Sequence, residues 1–296
     1  MKRNVLLVCA LATALLTAAC DEKKKDTDKG KAPPASETLG AFTGTTTRVV
    51  WVRPTDEAAY ADIYLKSDTL SLWAFDSETN REWQLLEAVG NYRKPLISTD
   101  GESVVFSAGR EKSAVYATDW KGKAPERLCD GVALMLWRDP ADGRCWAYVG
   151  REPRDANFGT VGKVVRFALD QPEKEELVWE KTPVAVDNFS LSRDGRYAAA
   201  LFPWPDAGVF DLQKETVTKL KTGCWPSMSP DDSRVVAVFA GSHQKFEYFA
   251  TGRGRRWKFA VNDTDELRAG EVYHGLETFI SRVSISSVIS ASEYLV

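Results

Sequence analysis

The stretch FSLSRDGRYAAALF, Phe189–Phe202, decides the fold of this chain. An Asp-Gly pair separates a short apolar segment from a dense apolar run. Nearly the same phrase is written as LISTDGESVVFSAG at Leu96–Gly109 and as SMSPDDSRVVAVFAG at Ser227–Gly241. Three spaced copies of one pattern indicate a structural repeat.

The segments around these turns predict β-strands. Runs such as RVVWV, SVVFSA, YAAALF and RVVAVF are short, rich in β-branched and aromatic residues, and apolar at consecutive positions. Consecutive apolar residues in a short run are typical of a strand that is covered on both faces. Asp-Gly suits a hairpin because Gly adopts a positive φ without a Cβ clash. The sequence therefore predicts an all-β protein.

The strands recur in groups of four over roughly forty residues, which is the period of a β-propeller blade. The third strand of a unit runs into its turn through Asp76, Asp119 or Asp211, and a looser copy of the turn stands at Asp142-Gly143. The first unit begins at its second strand, so another segment has to supply the missing one. Five units reach Asn262. The Ser-rich tail is expected to form an irregular or incomplete last blade, which gives about six blades.

The repeat resembles that of TolB-type, WD-repeat-like propellers, which centres on Ser-x-Asp-Gly followed by three hydrophobic residues. The matching residues are Ser98-Thr99-Asp100-Gly101, Ser192-Arg193-Asp194-Gly195 and Ser229-Pro230-Asp231-Asp232. The resemblance extends from about Arg48 to Asn262. It implies a propeller that serves as an interaction platform, although one fold hosts many activities.

The N-terminal region predicts a signal peptide followed by a lipid anchor in the membrane. MKRNVLLVCALATALLTAAC has a basic start, a short apolar run and small residues before Cys20. Its end resembles the lipobox of bacterial lipoproteins, which implies cleavage after residue 19 and acylation of Cys20. The expected organisation is a signal peptide over 1–19, a lipidated flexible tether over 20–45 and a propeller over 46–296. The protein would be lipid-anchored in the cell envelope, and Asp21 alone leaves inner and outer membrane undecided.

The composition argues against one class of partner. The 296 residues are 44% hydrophobic and carry a formal net charge of -3, whereas a nucleic-acid partner calls for a basic surface. The basic cluster in TGRGRRWKFAV, from Thr251 to Val261, is interpreted as a solvated blade turn. The expected partners are the membrane, through the lipid anchor, and an envelope protein or glycan.

Two short motifs match catalytic or metal-binding patterns by coincidence. DSETNREWQLLE has acidic residues at calcium-loop spacing from Asp76, but its sixth position is Arg81 where the loop needs Gly. SHQK at Ser242–Lys245 matches a Ser-x-x-Lys motif but falls between predicted strands, where that motif starts a helix. The two histidines, His243 and His274, stand far apart. The sequence nominates no catalytic residue, metal site or cofactor.

Three thiols stay in the chain after the signal peptide is removed, apart from Cys20 itself: Cys129, Cys145 and Cys224. No Cys-x-x-Cys spacing is present. Three separate thiols are expected, with a Cys129–Cys145 disulfide between adjacent blades as the alternative in an oxidising compartment.

The segment FPWPD, Phe202–Asp206, provides the candidate binding loop. Two prolines frame Trp204 in place of an ordinary hairpin turn, and loops at the ends of a propeller carry most of its binding. The alternative is that Trp204 packs on its own blade. The prediction is a non-enzymatic lipoprotein whose propeller binds a protein or ligand. The alternative function is an enzyme acting on polysaccharide or using a cofactor in the central channel.

Overall fold

The structure is a computed structural model of the 296-residue chain. It describes residues 43, 45–55, 68–109, 112–154, 159–229, 235–240, 245–250 and 258–261. Within these ranges the chain forms twenty strands and one 3-10 turn, Val186–Asn188. The predicted all-β class is confirmed.

The strands form five consecutive antiparallel sheets, and each sheet is one blade. Blade 1 contains β1 (Arg48–Pro54), β2 (Leu70–Asp76) and β3 (Arg81–Gln84), and blade 2 contains β4 (Tyr92–Ile97), β5 (Ser103–Ala108), β6 (Ala114–Asp119) and β7 (Glu126–Asp130). Blade 3 contains β8 (Val132–Arg138), β9 (Cys145–Pro153), β10 (Thr160–Ala168), β11 (Glu176–Trp179) and the short β12 (Val184–Ala185). Blade 4 contains β13 (Ser190–Leu191), β14 (Tyr197–Leu201), β15 (Asp206–Asp211) and β16 (Thr216–Thr222), and blade 5 contains β17 (Cys224–Met228), β18 (Val235–Ala240), β19 (Lys245–Ala250) and β20 (Lys258–Val261).

The hydrophobic core lies between the blades. Four clusters of buried side chains fill the four spaces between successive sheets. Phe106 faces blade 1 while its neighbour Val105 faces blade 3, because successive side chains of a strand point to opposite faces. A fully buried Val or Phe contributes about 1.5–3 kcal/mol. The consecutive apolar residues in the sequence are therefore explained by sheets that are covered on both sides.

The repeated turn is held by the same hydrogen bonds in blades 2 and 4. The Ser98 hydroxyl donates to Asp100 Oδ1 at 2.5 Å and accepts from Ser103 N at 2.9 Å, while Asp100 Oδ1 accepts from Glu102 N at 3.0 Å. The equivalent residues of blade 4, with the same bonds, are Ser192, Asp194, Arg196 and Tyr197. The Ser-x-Asp spacing that recurs in the repeat therefore closes the turn by the same hydrogen bonds in both blades.

The Asp residues that end the third strands also close turns. Asp119 Oδ1 accepts the amides of Lys121 and Lys123, at 3.0 and 2.9 Å. Asp211 accepts the amide of Lys214 and forms an ion pair with Arg196, whose guanidinium hydrogen bonds hold the pKa of the Asp211 carboxyl below its usual value. The predicted role of these residues as turn formers is confirmed.

The Asp-Gly turns also join one blade to the next. Arg48 of blade 1 donates from Nη1 to Gly101 O at 2.6 Å, and Trp137 of blade 3 donates from Nε1 to Arg193 O at 3.1 Å. In each case, the end of a strand docks on the turn of the following blade. The Ser-x-Asp-Gly turn therefore closes its own hairpin and also fixes the position of the preceding blade.

The blades are arranged around an axis. Lys94 in β4 of blade 2 donates from Nζ to Val186 O at 2.5 Å, and Val186 leads into the first strand of blade 4. Val186 lies in the link between blades 3 and 4, and this link also contacts β17 of blade 5. Blades 2 and 5 therefore both contact the same link, which requires the row of sheets to curve. Within the described residues, the first strands of blades 2–5 line the inside of this curve, as expected for a propeller.

Blade 1 begins at its second strand, as predicted. It has three strands among the described residues, and β1 packs against β4 as β14 packs against β17. The strand that would complete this blade, and the predicted sixth blade, fall outside the described residues. No helix in the described part of the chain is both long and apolar enough to cross a membrane.

The two ends of the propeller carry different loops. One end, the Asp-Gly face, carries Asp100-Gly101, Asp142-Gly143 and Asp194-Gly195. The other end, the Trp204 face, carries the loop 202–205 and the links between blades at Gly131 and Gly223.

Candidate functional site

Trp204 is the most exposed large apolar side chain in the described part of the chain. Trp204 is 65% exposed, and it lies in the loop that joins β14 to β15 on the Trp204 face. The alternative that this indole packs on its own blade is wrong, because a packed side chain would be largely covered. A solvated indole at the tip of a loop is available to a ligand or partner.

The loop around Trp204 is tied down on both sides. Phe202 N donates to Asp206 O at 3.1 Å, and Asp206 N donates to Pro203 O at 3.0 Å. Gly223 N, in the link to blade 5, donates to Pro205 O at 3.0 Å. Pro203 and Pro205 fix their own φ angles and follow cis peptide bonds. The loop is therefore held by three backbone hydrogen bonds and two prolines, with Trp204 at its apex.

Phe202 anchors this loop in the core. Its ring lies 5.4 Å from the ring of Phe210, which is fully buried between blades 3 and 4. The ring occupies space above Gly208, where an added Cβ would lie 2.0 Å from Phe202 Cε1. Gly208 therefore makes room for Phe202, and Phe202 fixes the base of the loop that presents Trp204.

A second feature of the Trp204 face lies where the inner strands begin. Lys94 and Trp225 occupy the same position in the first strands of blades 2 and 5, each before a proline. Both have a positive φ, 49° and 47°, and both lie in a break of the strand register. Such backbone costs about 1–3 kcal/mol per residue and is enriched at functional sites.

Lys94 stabilises this inner end of the propeller. Lys94 is only 6% exposed, and its ammonium group donates a hydrogen bond to the Val186 carbonyl. The 3-10 turn at Val186–Asn188 contacts both β8 and β17, so Lys94 connects the inner strands of several blades. This arrangement was not predicted. The available signal was the shared x-Pro in RKPLIS and CWPSMS.

The thiols are separate, as predicted. Cys129, Cys145 and Cys224 are half-buried and free. Cys145 begins β9, whereas Cys129 precedes Asp130, whose carbonyl accepts a hydrogen bond from Arg151 near the other end of β9. Six residues of strand span about 20 Å, far beyond the reach of a disulfide. The alternative Cys129–Cys145 bond is therefore wrong.

Burial raises the pKa of the Cys129 thiol from 9.0 to about 11. At pH 8 the thiolate fraction is then about 100-fold smaller than for an ordinary cysteine, and the thiolate is the reactive form. We expect Cys129 to react with iodoacetamide about 100-fold more slowly in the folded protein than in the unfolded chain. Peptide mapping by mass spectrometry would follow each cysteine separately. A folded rate close to the unfolded rate would contradict the burial of this thiol.

The rejected calcium motif forms an ordinary blade turn. Asp76 Oδ1 accepts from Glu78 N at 2.8 Å, and Asp76 Oδ2 pairs with Arg48 Nε at 3.1 Å. No cluster of three or more His, Cys, Asp or Glu side chains suited to a metal ion occurs among the described residues.

Several predicted residues lie outside the described ranges. They are Cys20 with the signal peptide and the tether up to residue 42, Ser242 with His243, His274, and the basic residues of the Thr251–Arg256 segment. Their roles stay predictions.

Several solved structures are similar to part of this chain. No family model matches the sequence, and no curated protein matches it. Similar solved structures include TolB from Acinetobacter baumannii, with 17% identity, a TM-score of 0.49, and coverage of 66% of this chain and 49% of that one. The chain thus spans about half the length of that TolB.

Two further similar structures have comparable scores. A putative TolB from Agrobacterium tumefaciens has 14% identity and a TM-score of 0.46, covering 67% of this chain and 76% of that one. An oligogalacturonate lyase from Vibrio parahaemolyticus has 12% identity and a TM-score of 0.42, covering 73% and 62%. Similarity at this level assigns no activity to the chain.

Proposed function

We propose that this protein is a lipid-anchored envelope protein whose propeller binds a partner protein through the Trp204 loop, without catalysis. The observation that carries the proposal is an indole that is 65% exposed on a loop tied by three backbone hydrogen bonds. Exposing a large apolar side chain on a rigid support favours binding, because little conformational freedom is lost when a partner covers it.

The loop chemistry favours a protein over a glycan. Sugars need several hydrogen-bonding groups beside the aromatic ring, and each of the carbonyls of Pro203 and Pro205 already uses one lone pair to accept from Asp206 N or Gly223 N. Neither proline has an N–H to donate. The Asp206 carboxylate is paired with Lys219. An apolar pocket of a partner protein would instead cover the indole directly, as Trp residues do at the centres of interfaces.

The proposed anchoring to the membrane depends on acylation of Cys20. A single acyl chain gives marginal membrane binding, whereas two or three chains on one residue hold a protein durably. Labelling of growing cells with a radioactive fatty acid is expected to mark the protein, and Cys20→Ala is expected to abolish the label. Equal labelling of Cys20→Ala and wild-type protein would refute lipid attachment at Cys20.

The binding role is tested by crosslinking in the native envelope, followed by purification of the captured protein and titration with the propeller. Trp204→Ala is expected to raise the dissociation constant at least tenfold, since a central Trp contributes about 2 kcal/mol or more to binding. Leu177→Ala is the matched control, because Leu177 is 56% exposed but lies on the outer strand β11.

Two results would overturn the proposed function. One is an unchanged dissociation constant for Trp204→Ala. The other is failure to capture a protein together with turnover of a polysaccharide by the purified propeller, which would favour the enzyme alternative. Hydrolysis or oxidation of a panel of polysaccharides should therefore be measured on the same preparation.

A further inference from the structure

The described chain enters the propeller on the Asp-Gly face. Thr47 N donates to the Ser77 hydroxyl at 2.7 Å, and Ser77 N donates to Thr47 O at 3.0 Å. One residue later, Arg48 holds Gly101 O in the turn of blade 2. The start of β1 is thus fixed by contacts to the turns of two blades on this face.

Trp204 lies at the opposite end of the propeller. β1 runs from Arg48 on the Asp-Gly face to Pro54 on the Trp204 face, and seven residues of strand span about 23 Å. β14 runs in the same sense, from Tyr197 beside the Asp194-Gly195 turn to Leu201 beside the Trp204 loop. The start of β1 and the exposed indole are therefore on opposite faces.

We propose that the Asp-Gly face is turned toward the anchoring membrane and that the Trp204 face is turned away from it. The partner is then a protein that approaches from the side opposite the membrane. This inference rests on the proposed lipid anchor at Cys20 and on the proposed binding role of Trp204.

The competing role for an exposed Trp on an anchored protein is insertion into the membrane interface, where Trp is enriched. The length of the predicted tether opposes that role. Residues 21–42 separate Cys20 from Thr43, which is hydrogen-bonded to Thr45 and Thr47, and a random coil of that length has a root-mean-square reach of about 26 Å. To bring Trp204 to the lipid, the tether would have to pass a propeller radius of about 20 Å and a thickness of about 23 Å.

Exposed positions on the two faces allow a direct test that leaves Trp204 intact. Ala141 is exposed in the turn of blade 3 on the Asp-Gly face. Lys112 is exposed between β5 and β6 on the Trp204 face. A fluorophore on an unnatural amino acid at either position reports which face approaches the lipid.

The experiment uses the full lipidated chain in vesicles of phosphatidylethanolamine and phosphatidylglycerol that contain a lipid with a nitroxide headgroup. The fluorophore at position 141 is expected to be quenched about threefold or more strongly than that at 112, since the faces are separated by about 23 Å. Equal quenching, stronger quenching at 112, or quenching at neither position would overturn the orientation.

Flotation of the vesicles separates this result from the anchor itself. Wild-type protein and Trp204→Ala are expected to float equally, and Cys20→Ala is expected to stay unbound. Loss of flotation in Trp204→Ala would mean that the indole contacts lipid and would overturn the orientation alone. Flotation of Cys20→Ala equal to wild type would overturn both the anchor and the orientation that rests on it.

Discussion

Gly195→Ala is expected to lower the free energy of unfolding by about 3 kcal/mol. Gly195 has a φ of 67°, a conformation that costs an L-residue about 1–2 kcal/mol. An added Cβ would also lie 2.6 Å from Cζ2 of Trp137, whose indole docks on this turn from blade 3. The clash displaces a contact between blades, so the substitution acts on the hairpin and on its neighbour together.

Gly101→Ala is the matched control for this prediction. Gly101 occupies the same place in the turn of blade 2, with a φ of 81°. Its added Cβ would meet Arg48 Nη1 at 3.3 Å, the end of a side chain that can move. We expect this variant to lose only about 1–2 kcal/mol. Guanidinium unfolding followed by Trp fluorescence measures both values. Equal losses would contradict the role of the Asp194-Gly195 turn as a contact between blades.

Phe210→Ala is expected to cost about 3–5 kcal/mol, the range for removing a buried Phe from a packed core. Phe210 is fully buried, and its ring lies 4.7 Å from Trp179 of blade 3 and 5.4 Å from Phe202. The variant leaves a cavity between blades 3 and 4. It also removes the support of Phe202, and therefore loosens the loop that presents Trp204.

Leu177→Ala provides the control for core packing, since Leu177 is 56% exposed and a surface substitution changes stability by about 0.5 kcal/mol or less. Chemical unfolding measures the difference, and proteolysis near Trp204 reports on the loop. If Phe210→Ala were as stable as Leu177→Ala, the packing of blade 4 on blade 3 would be wrong.

The local features of the fold were predictable from the sequence. Asp-Gly turns and dense apolar strands are governed by residues close together in the chain, so Ser98, Asp100 and their equivalents in blade 4 form the expected hairpins. The start of the first blade at its second strand was predictable too, because the repeat there lacks its first segment. Trp204 was predicted as a candidate because two prolines exclude an ordinary turn.

The contacts between blades were not predictable in the same way. Arg48 and Trp137 dock on turns that lie more than fifty residues away, and nothing in the local pattern pairs them. Lys94 is a further example, because its ammonium group is held by a carbonyl 92 residues away. A single sequence shows the repeat but not which side chain of one unit contacts the next.

The central claim is that these sheets are arrayed around an axis with the Asp-Gly turns on one face. Pulsed electron paramagnetic resonance on spin labels at the exposed positions Thr99, Ala141 and Arg193 tests it directly. These positions stand in the turns of blades 2, 3 and 4. For a ring of five or six blades, the 99–193 distance is expected to be about 1.6–1.7 times each neighbouring distance. A ratio of about two would indicate a straight stack of sheets and would contradict the account.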